Sequence, residues 1–146
     1  TKPFRIGTLF ANVTNYTHEI FSKKINLFEI HIENRWNNKL EQAHATLTLM
    51  RNTLPVGETL KTPSVDIPPW GRAMVSSFID ATTLAPGLYS ALITLYYHGK
   101  TTAVTVPVTV KKPFTINATT ILIVLIVLLL LLDVVIWILH RRREDA

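Results

Sequence analysis

Residues 25–34 read INLFEIHIEN. Phe28, Ile30 and Ile32 alternate with Glu29, His31 and Glu33. A period of two puts the apolar set on one side of an extended chain and the polar set on the other. This is the pattern of a β-strand with one buried and one wet face. The same pattern recurs on both sides of it. Residues 42–51 place Ala43, Ala45, Leu47 and Leu49 opposite His44, Thr46, Thr48 and Met50. Residues 88–97 align Tyr89, Ala91, Ile93, Leu95 and Tyr97, and residues 101–111 align Val104, Val106, Val108 and Val110. Further strands are expected at 4–13, 58–67 and 72–80, the second demoted to an edge by Pro63. Turn residues separate the runs at near-regular spacing: Trp36-Asn37-Asn38-Lys39, Pro55-Val56-Gly57, Pro68-Pro69-Trp70-Gly71, Leu84-Ala85-Pro86-Gly87 and His98-Gly99-Lys100. The expectation for residues 1–112 is an all-β fold, a seven-stranded immunoglobulin-like β-sandwich. Pro86, Gly87 and Tyr89 belong to a structural corner, where a tyrosine hydroxyl turns back to the backbone.

Residues 118–139 read ATTILIVLIVLLLLLDVVIWIL, with one charge, Asp133, and neither Gly nor Pro. As an α-helix this stretch is roughly 33 Å long at ~1.5 Å per residue, enough to cross a hydrocarbon core of about 30 Å. It lacks the polar stripe of a helix packed on a soluble core. It reads as one transmembrane α-helix, joined to the sandwich by a short linker, 113–117, and followed by a basic tail, 140–146.

The 146 residues carry a net charge of +5 and no Cys. Thiol chemistry, Cys-ligated metal and a disulfide framework are excluded. The absence of Cys favours a prokaryotic surface or the cytosol over a small disulfide-bridged ectodomain. The charges are scattered, with no basic run interleaved with aromatics, so nucleic acid is not an expected partner. Thr1 in place of Met is expected to mark a processed or truncated N-terminus.

No catalytic constellation stands out. The five histidines, His18, His31, His44, His98 and His140, show no metal-ligand spacing. His31 and His44 fall on strands that belong to different sheets of a sandwich. The serines lack a nucleophile-elbow context, the carboxylates are dispersed, and there is no Gly-rich phosphate loop. The expectation is a protein that is not an enzyme, with no cofactor, no metal and no small-molecule substrate. Trp36 and Trp70 lie in turns, where they either pack over an end of the sandwich or serve as aromatics for partner contact. Asn12, Asn15 and Asn117 each open an Asn-X-Ser/Thr sequon and are glycosylation candidates, Asn12 and Asn15 on the loop after the first strand.

The segments Glu33-Asn34-Arg35, Thr62-Pro-Ser-Val-Asp-Ile-Pro-Pro-Trp70, Leu84-Ala-Pro-Gly-Leu-Tyr89 and Tyr96-Tyr-His-Gly-Lys100 resemble Ig-like modules of archaeal and bacterial surface proteins. The resemblance is to cell-adhesion-related, CARDB-like domains, and covers about residues 20–140. Its motifs are corners and turns, so they bear on fold more than on function. It implies a non-catalytic surface module, often next to a C-terminal membrane anchor, and brings no catalytic residues.

Arg141, Arg142 and Arg143 follow the span, and Lys111 and Lys112 precede it. The positive-inside rule therefore favours a cytoplasmic C-terminus by one charge. The expected location is the plasma membrane, single-pass, with the sandwich outside and Trp137 near the interface. The expected partners are the lipid bilayer and other membrane or envelope proteins, reached partly through an intramembrane contact at Asp133. A tail-anchored cytosolic β-sandwich receptor for peptide motifs is the alternative.

Overall fold

A computed structural model describes residues 7–144. The elements in chain order are β1 (Ala11–Tyr16), β2 (Glu19–Phe21), β3 (Ile25–Asn34), β4 (Leu40–Arg51), β5 (Leu54–Pro55), β6 (Leu60–Lys61), β7 (Val65–Ile67), β8 (Arg72–Asp80), β9 (Gly87–Tyr97), β10 (Lys100–Lys111) and α1 (Ala118–Glu144). The chain divides into two compact units, one ending at Pro113 and one beginning at Phe114.

The first unit is two open sheets. One has the order β1-β3-β8; the other runs β2-β10-β9-β4-β5, with β6 and β7 also paired to β4. All pairings are antiparallel except β2 with β10, so the second sheet is mixed. Ten strands among the described residues replace the seven expected. The excess has two causes. Pro55 and Pro63 lack the N–H a ladder needs, so the stretch expected at 58–67 is cut into β6 and β7, with β5 standing ahead of it. And the chain switches sheets after β1. Thr17 N–H still donates to Glu29 O of β3 and its Oγ1 accepts from Glu29 N–H, while the next carbonyl, His18 O, accepts from Thr109 N–H of β10 at 2.9 Å. That switch creates β2, three residues too short to show a period. The first strand begins at Ala11; residues 4–6 of the range expected for it lie outside the described residues. The paired sequons fall within β1 itself and not on the loop after it, because the strand starts seven residues later than expected and runs on to Tyr16.

Alternation carries the core. Phe28, Ile30 and Ile32 of β3 and Val75 and Ile79 of β8 meet Ala45, Leu47, Leu49, Ala91, Ile93, Leu95, Val108 and Val110 from the other sheet in one apolar cluster. β3 continues its buried phase one step further than its apolar residues do: Asn34 sits at 0% exposure. A buried amide must be hydrogen-bonded, and this one is. Its Nδ2 donates to Asn38 O at 2.8 Å and Pro68 O at 2.9 Å, and lies 3.3 Å from Ile67 O. Its Oδ1 accepts from Trp36 N–H at 2.9 Å.

Two further polar groups hold the edge strands. Gln42 sits at φ 52° in a bulge of β4, and its N–H donates to Asp66 Oδ1 at 2.9 Å. Thr62, buried beside Pro63, accepts from Ala45 N–H at 3.0 Å. Because Pro63 cannot extend the ladder, this hydroxyl satisfies a donor that would otherwise lose its partner.

The second unit is α1, 27 residues from Ala118 to Glu144. Asn117 caps it, its carbonyl accepting from Thr120 N–H at 2.9 Å. Every apolar side chain from Ile121 to Leu139 is exposed. The helix is long and apolar enough to cross a membrane. It does not end at Leu139: Arg141, Arg142 and Arg143 form its last turn, where cations suit the helix dipole. Residues 145–146 of the tail lie outside the described residues.

Asn34→Leu should lower the stability of the β-unit by about 2–3 kcal/mol, since it strands buried carbonyls. Urea unfolding followed by the fluorescence of Trp36 and Trp70, which border the site, is the measurement.

Candidate functional site

The two tryptophans of the turns lie at one end of the β-unit, around Asn34. Trp70 N–H donates to Trp36 O at 3.2 Å. Trp36 is half-buried against the core and meets the His98 ring edge-on, centroids 5.2 Å apart. Trp70 is held in the left-handed region at φ 57° and is 38% exposed. A Cβ on Gly7 would lie 2.8 Å from the Trp70 ring and 2.5 Å from Arg35 O, so this approach needs glycine. Beside Trp70 is a recess of about 290 Å³ lined by Glu33, Asn34, Arg35 and Trp70.

Glu33 is the charged wall of that recess. Its Oε2 accepts from Arg35 Nε at 3.0 Å, and its Oε1 from Arg72 Nη2 at 3.2 Å. The two guanidinium groups, Arg35 first, hold its carboxyl below the ordinary carboxylate range. Asp66, on β7 in the other sheet, is also held low, first by the Gln42 N–H and then by Lys39. These pairs are solvent-exposed, where ion pairs add little to stability. The Glu33–Arg35 pair fixes the charged wall of the recess more than it holds the fold.

At the other end, Tyr89 Oη donates to Ala85 O at 2.8 Å across the Leu84–Gly87 corner. The Arg51 guanidinium stacks over the Tyr89 ring, 5.3 Å from its centroid. Gly87 takes φ 150°. Pro86 is exposed, and in this corner it restricts the chain before the strand starts.

The sequons differ in access. Asn15 is exposed, and its Oδ1 accepts from Tyr16 N–H. Asn12 is half-buried, with a buried Oδ1 that has no hydrogen-bond partner among the described residues. Asn117 is exposed at the helix cap. On α1, Asp133 is exposed and has no hydrogen-bond or ion-pair partner among the described residues, and the Arg141 guanidinium lies 5.2 Å from the Trp137 ring centroid.

His31 and His44 lie on β3 and β4, in different sheets. Among the described residues no three His, Asp or Glu side chains come together as a metal set. A cleft of about 420 Å³ opens along β8, lined by Leu47, Leu49, Leu60, Ile79 and Leu84 among others. It lies where the interrupted β5–β7 stretch leaves the gap between the sheets uncovered. Sequence reasoning missed Asn34, the Glu33–Arg35–Arg72 cluster and this cleft. Only Asn34 left a signal: it is in phase with Phe28, Ile30 and Ile32, so an alternating strand buries it.

No family model matches the chain, and no curated protein sequence does. Among solved structures it is similar to the CARDB domain of the PF1109 protein from Pyrococcus furiosus. The crystal structure of that domain, in complex with di-metal ions, is 13% identical, covers 77% of this chain and 100% of that one, and has a TM-score of 0.49. The solution structure of the same domain is 14% identical over 73% of this chain and 100% of that one, with a TM-score of 0.46. A β-glucosidase from Listeria innocua in complex with glucose is 12% identical, covering 75% of this chain and 17% of that one at a TM-score of 0.43. The likeness is one of fold.

Because Glu33 is held low in the folded state, its contribution to stability is present above its unfolded pKa and is lost as pH falls through the folded one. Acid titration of the unfolding midpoint should therefore show a loss below the ordinary carboxylate range. Glu33→Gln should flatten part of that loss.

Proposed function

We propose that the chain is a single-pass membrane protein whose β-unit, an immunoglobulin-like sandwich, stands outside the plasma membrane and acts as a non-catalytic accessory or adhesion module. The observation that carries this reading is α1. It offers 17 Leu, Ile and Val side chains from Ile121 to Leu139, all exposed, and one ionisable group within that stretch. At roughly −0.3 to −0.6 kcal/mol per such residue, insertion is favoured even against about 3 kcal/mol for a charged Asp. Lipid is the solvent that suits this surface.

Asp133 then calls for a partner. It lies six residues before Leu139, about 9 Å along the helix at ~1.5 Å per residue, too far from the interface for a short side chain to reach water. A basic or polar group on another membrane helix satisfies it, and that makes the chain a subunit of a membrane complex. At the far end of the β-unit, Trp70 and the recess beside it offer an aromatic surface with fixed charges for a protein of the envelope. Asn15 is the sequon best exposed for glycan attachment.

Protease added to sealed cells should digest the β-unit, and the helix should survive with its tail. Resistance until lysis would support the cytosolic tail-anchored receptor instead. Asp133→Leu should still insert yet lose most of its co-purifying membrane partners. An unchanged set of partners would remove the intramembrane pairing.

A further inference from the structure

The outer face of the β1-β3-β8 sheet is not uniformly polar. Leu27 and Phe78 stand directly opposite each other on β3 and β8, 45% and 67% exposed. Ile25, two residues earlier on β3 and on the same side, is 66% exposed. Phe21, at the end of β2, is 41% exposed, with Lys24 Nζ 5.9 Å from its ring centroid. Lys23 and Lys24 sit between them in the β2–β3 turn, and neither has an ion-pair partner among the described residues. Of the nearby acids, Glu19 pairs with Lys111, and Asp80, opposite Ile25, accepts from Thr82 N–H and Oγ1; Glu29 follows Leu27 on the same face.

The turn that presents the lysines is built rigidly. Asn26 Oδ1 accepts from Phe21 N–H at 2.8 Å, and its Nδ2 donates to Phe21 O at 2.8 Å and Lys24 O at 3.1 Å. Lys23 takes φ 59°, which tightens the turn. The turn is also joined to the place where the chain leaves the β-unit. Phe21 pairs with Lys111, the last residue of β10, and Ser22 N–H donates to Lys111 O at 2.8 Å. Seven residues later α1 begins, a span of at most about 25 Å at ~3.5 Å per residue.

We infer that Phe21, Ile25, Leu27 and Phe78, with Lys23 and Lys24, form a lipid-contact patch that rests on the anionic headgroups of the bilayer holding α1. Apolar side chains entering the headgroup region beside unpaired lysines are the chemistry of interfacial attachment. The short tether keeps the patch within reach of that surface at high effective concentration, so weak contacts suffice. The inference rests on the reading of α1 as a membrane span, and adds that the β-unit leans on the membrane instead of standing free above it.

The chain has no Cys, so single-cysteine labelling is direct. Spin labels at Leu27→Cys and Phe78→Cys are placed in the full chain, in bilayers containing phosphatidylglycerol. A label at Lys100→Cys, in the hairpin at the opposite end, is the aqueous control, and one at Leu129→Cys reports the span. The expected result is that both patch labels collide several-fold less with a water-soluble nickel chelate than the Lys100 label, while their collisions with oxygen rise. Lys23→Glu together with Lys24→Glu should abolish the difference, as should bilayers of phosphatidylcholine alone in high salt. Patch labels that match the Lys100 label, with the Leu129 label buried in lipid, would overturn the patch and leave the span intact. Shielding from nickel and oxygen alike would mean protein covers the patch, and would overturn it too. A Leu129 label open to nickel would instead refute the span.

Discussion

One buried amide holds the two sheets in register. The chain passes from the β1-β3-β8 sheet to the other through Trp36–Leu40, and returns through residues 67–71. Asn34 is bonded to both crossings: to Trp36 N–H and Asn38 O on the way out, and to Pro68 O on the way back. Its own N–H donates to Gly71 O. Four partners leave the amide almost fully satisfied, which is what makes its complete burial tolerable. An apolar residue of similar size fills the space but leaves the crossings without their bonds.

The opposite end solves the same problem with different groups. There the chain crosses between sheets from β8 to β9, and Tyr89 ties the corner by its hydroxyl to Ala85 O. The earlier crossing, from β2 to β3, is tied by the Asn26 amide. Each crossing removes backbone groups from a ladder, and a side chain near it supplies what the ladder no longer does. Between these polar ends the core needs nothing beyond alternation and volume.

Much of this was legible from residue spacing. The buried faces of β3, β4 and β9 follow from period two, and β3 and β8 end where their alternation ends. The weak points were those where tertiary context overrides pattern. β2 is three residues long and exists because β10 offers a free edge. The stretch around Pro63 has strand composition but cannot keep a ladder. Asn12 and Asn15 are turn-forming types, yet they sit in an edge strand, where a bulge between Val13 and Asn15 absorbs the irregularity. The aromatic end was half legible: both tryptophans were marked by their turns. That their backbones bond to each other, with Glu33 and two arginines around them, depends on contacts from distant parts of the chain. Of α1, its existence was plain from composition, and its continuation through the arginines was not, since a basic run suits a helix end and a free tail equally.

The two units suit different media. The β-unit buries one cluster of apolar residues between its sheets; α1 exposes its own along its whole length. Hydrogen–deuterium exchange of the full chain in bilayer nanodiscs compares the two directly. Amides of residues 121–139 should resist exchange for hours, as backbone groups do where water is excluded, while residues 113–117 exchange rapidly beside them. Helix amides that exchange as fast as that linker would contradict the account.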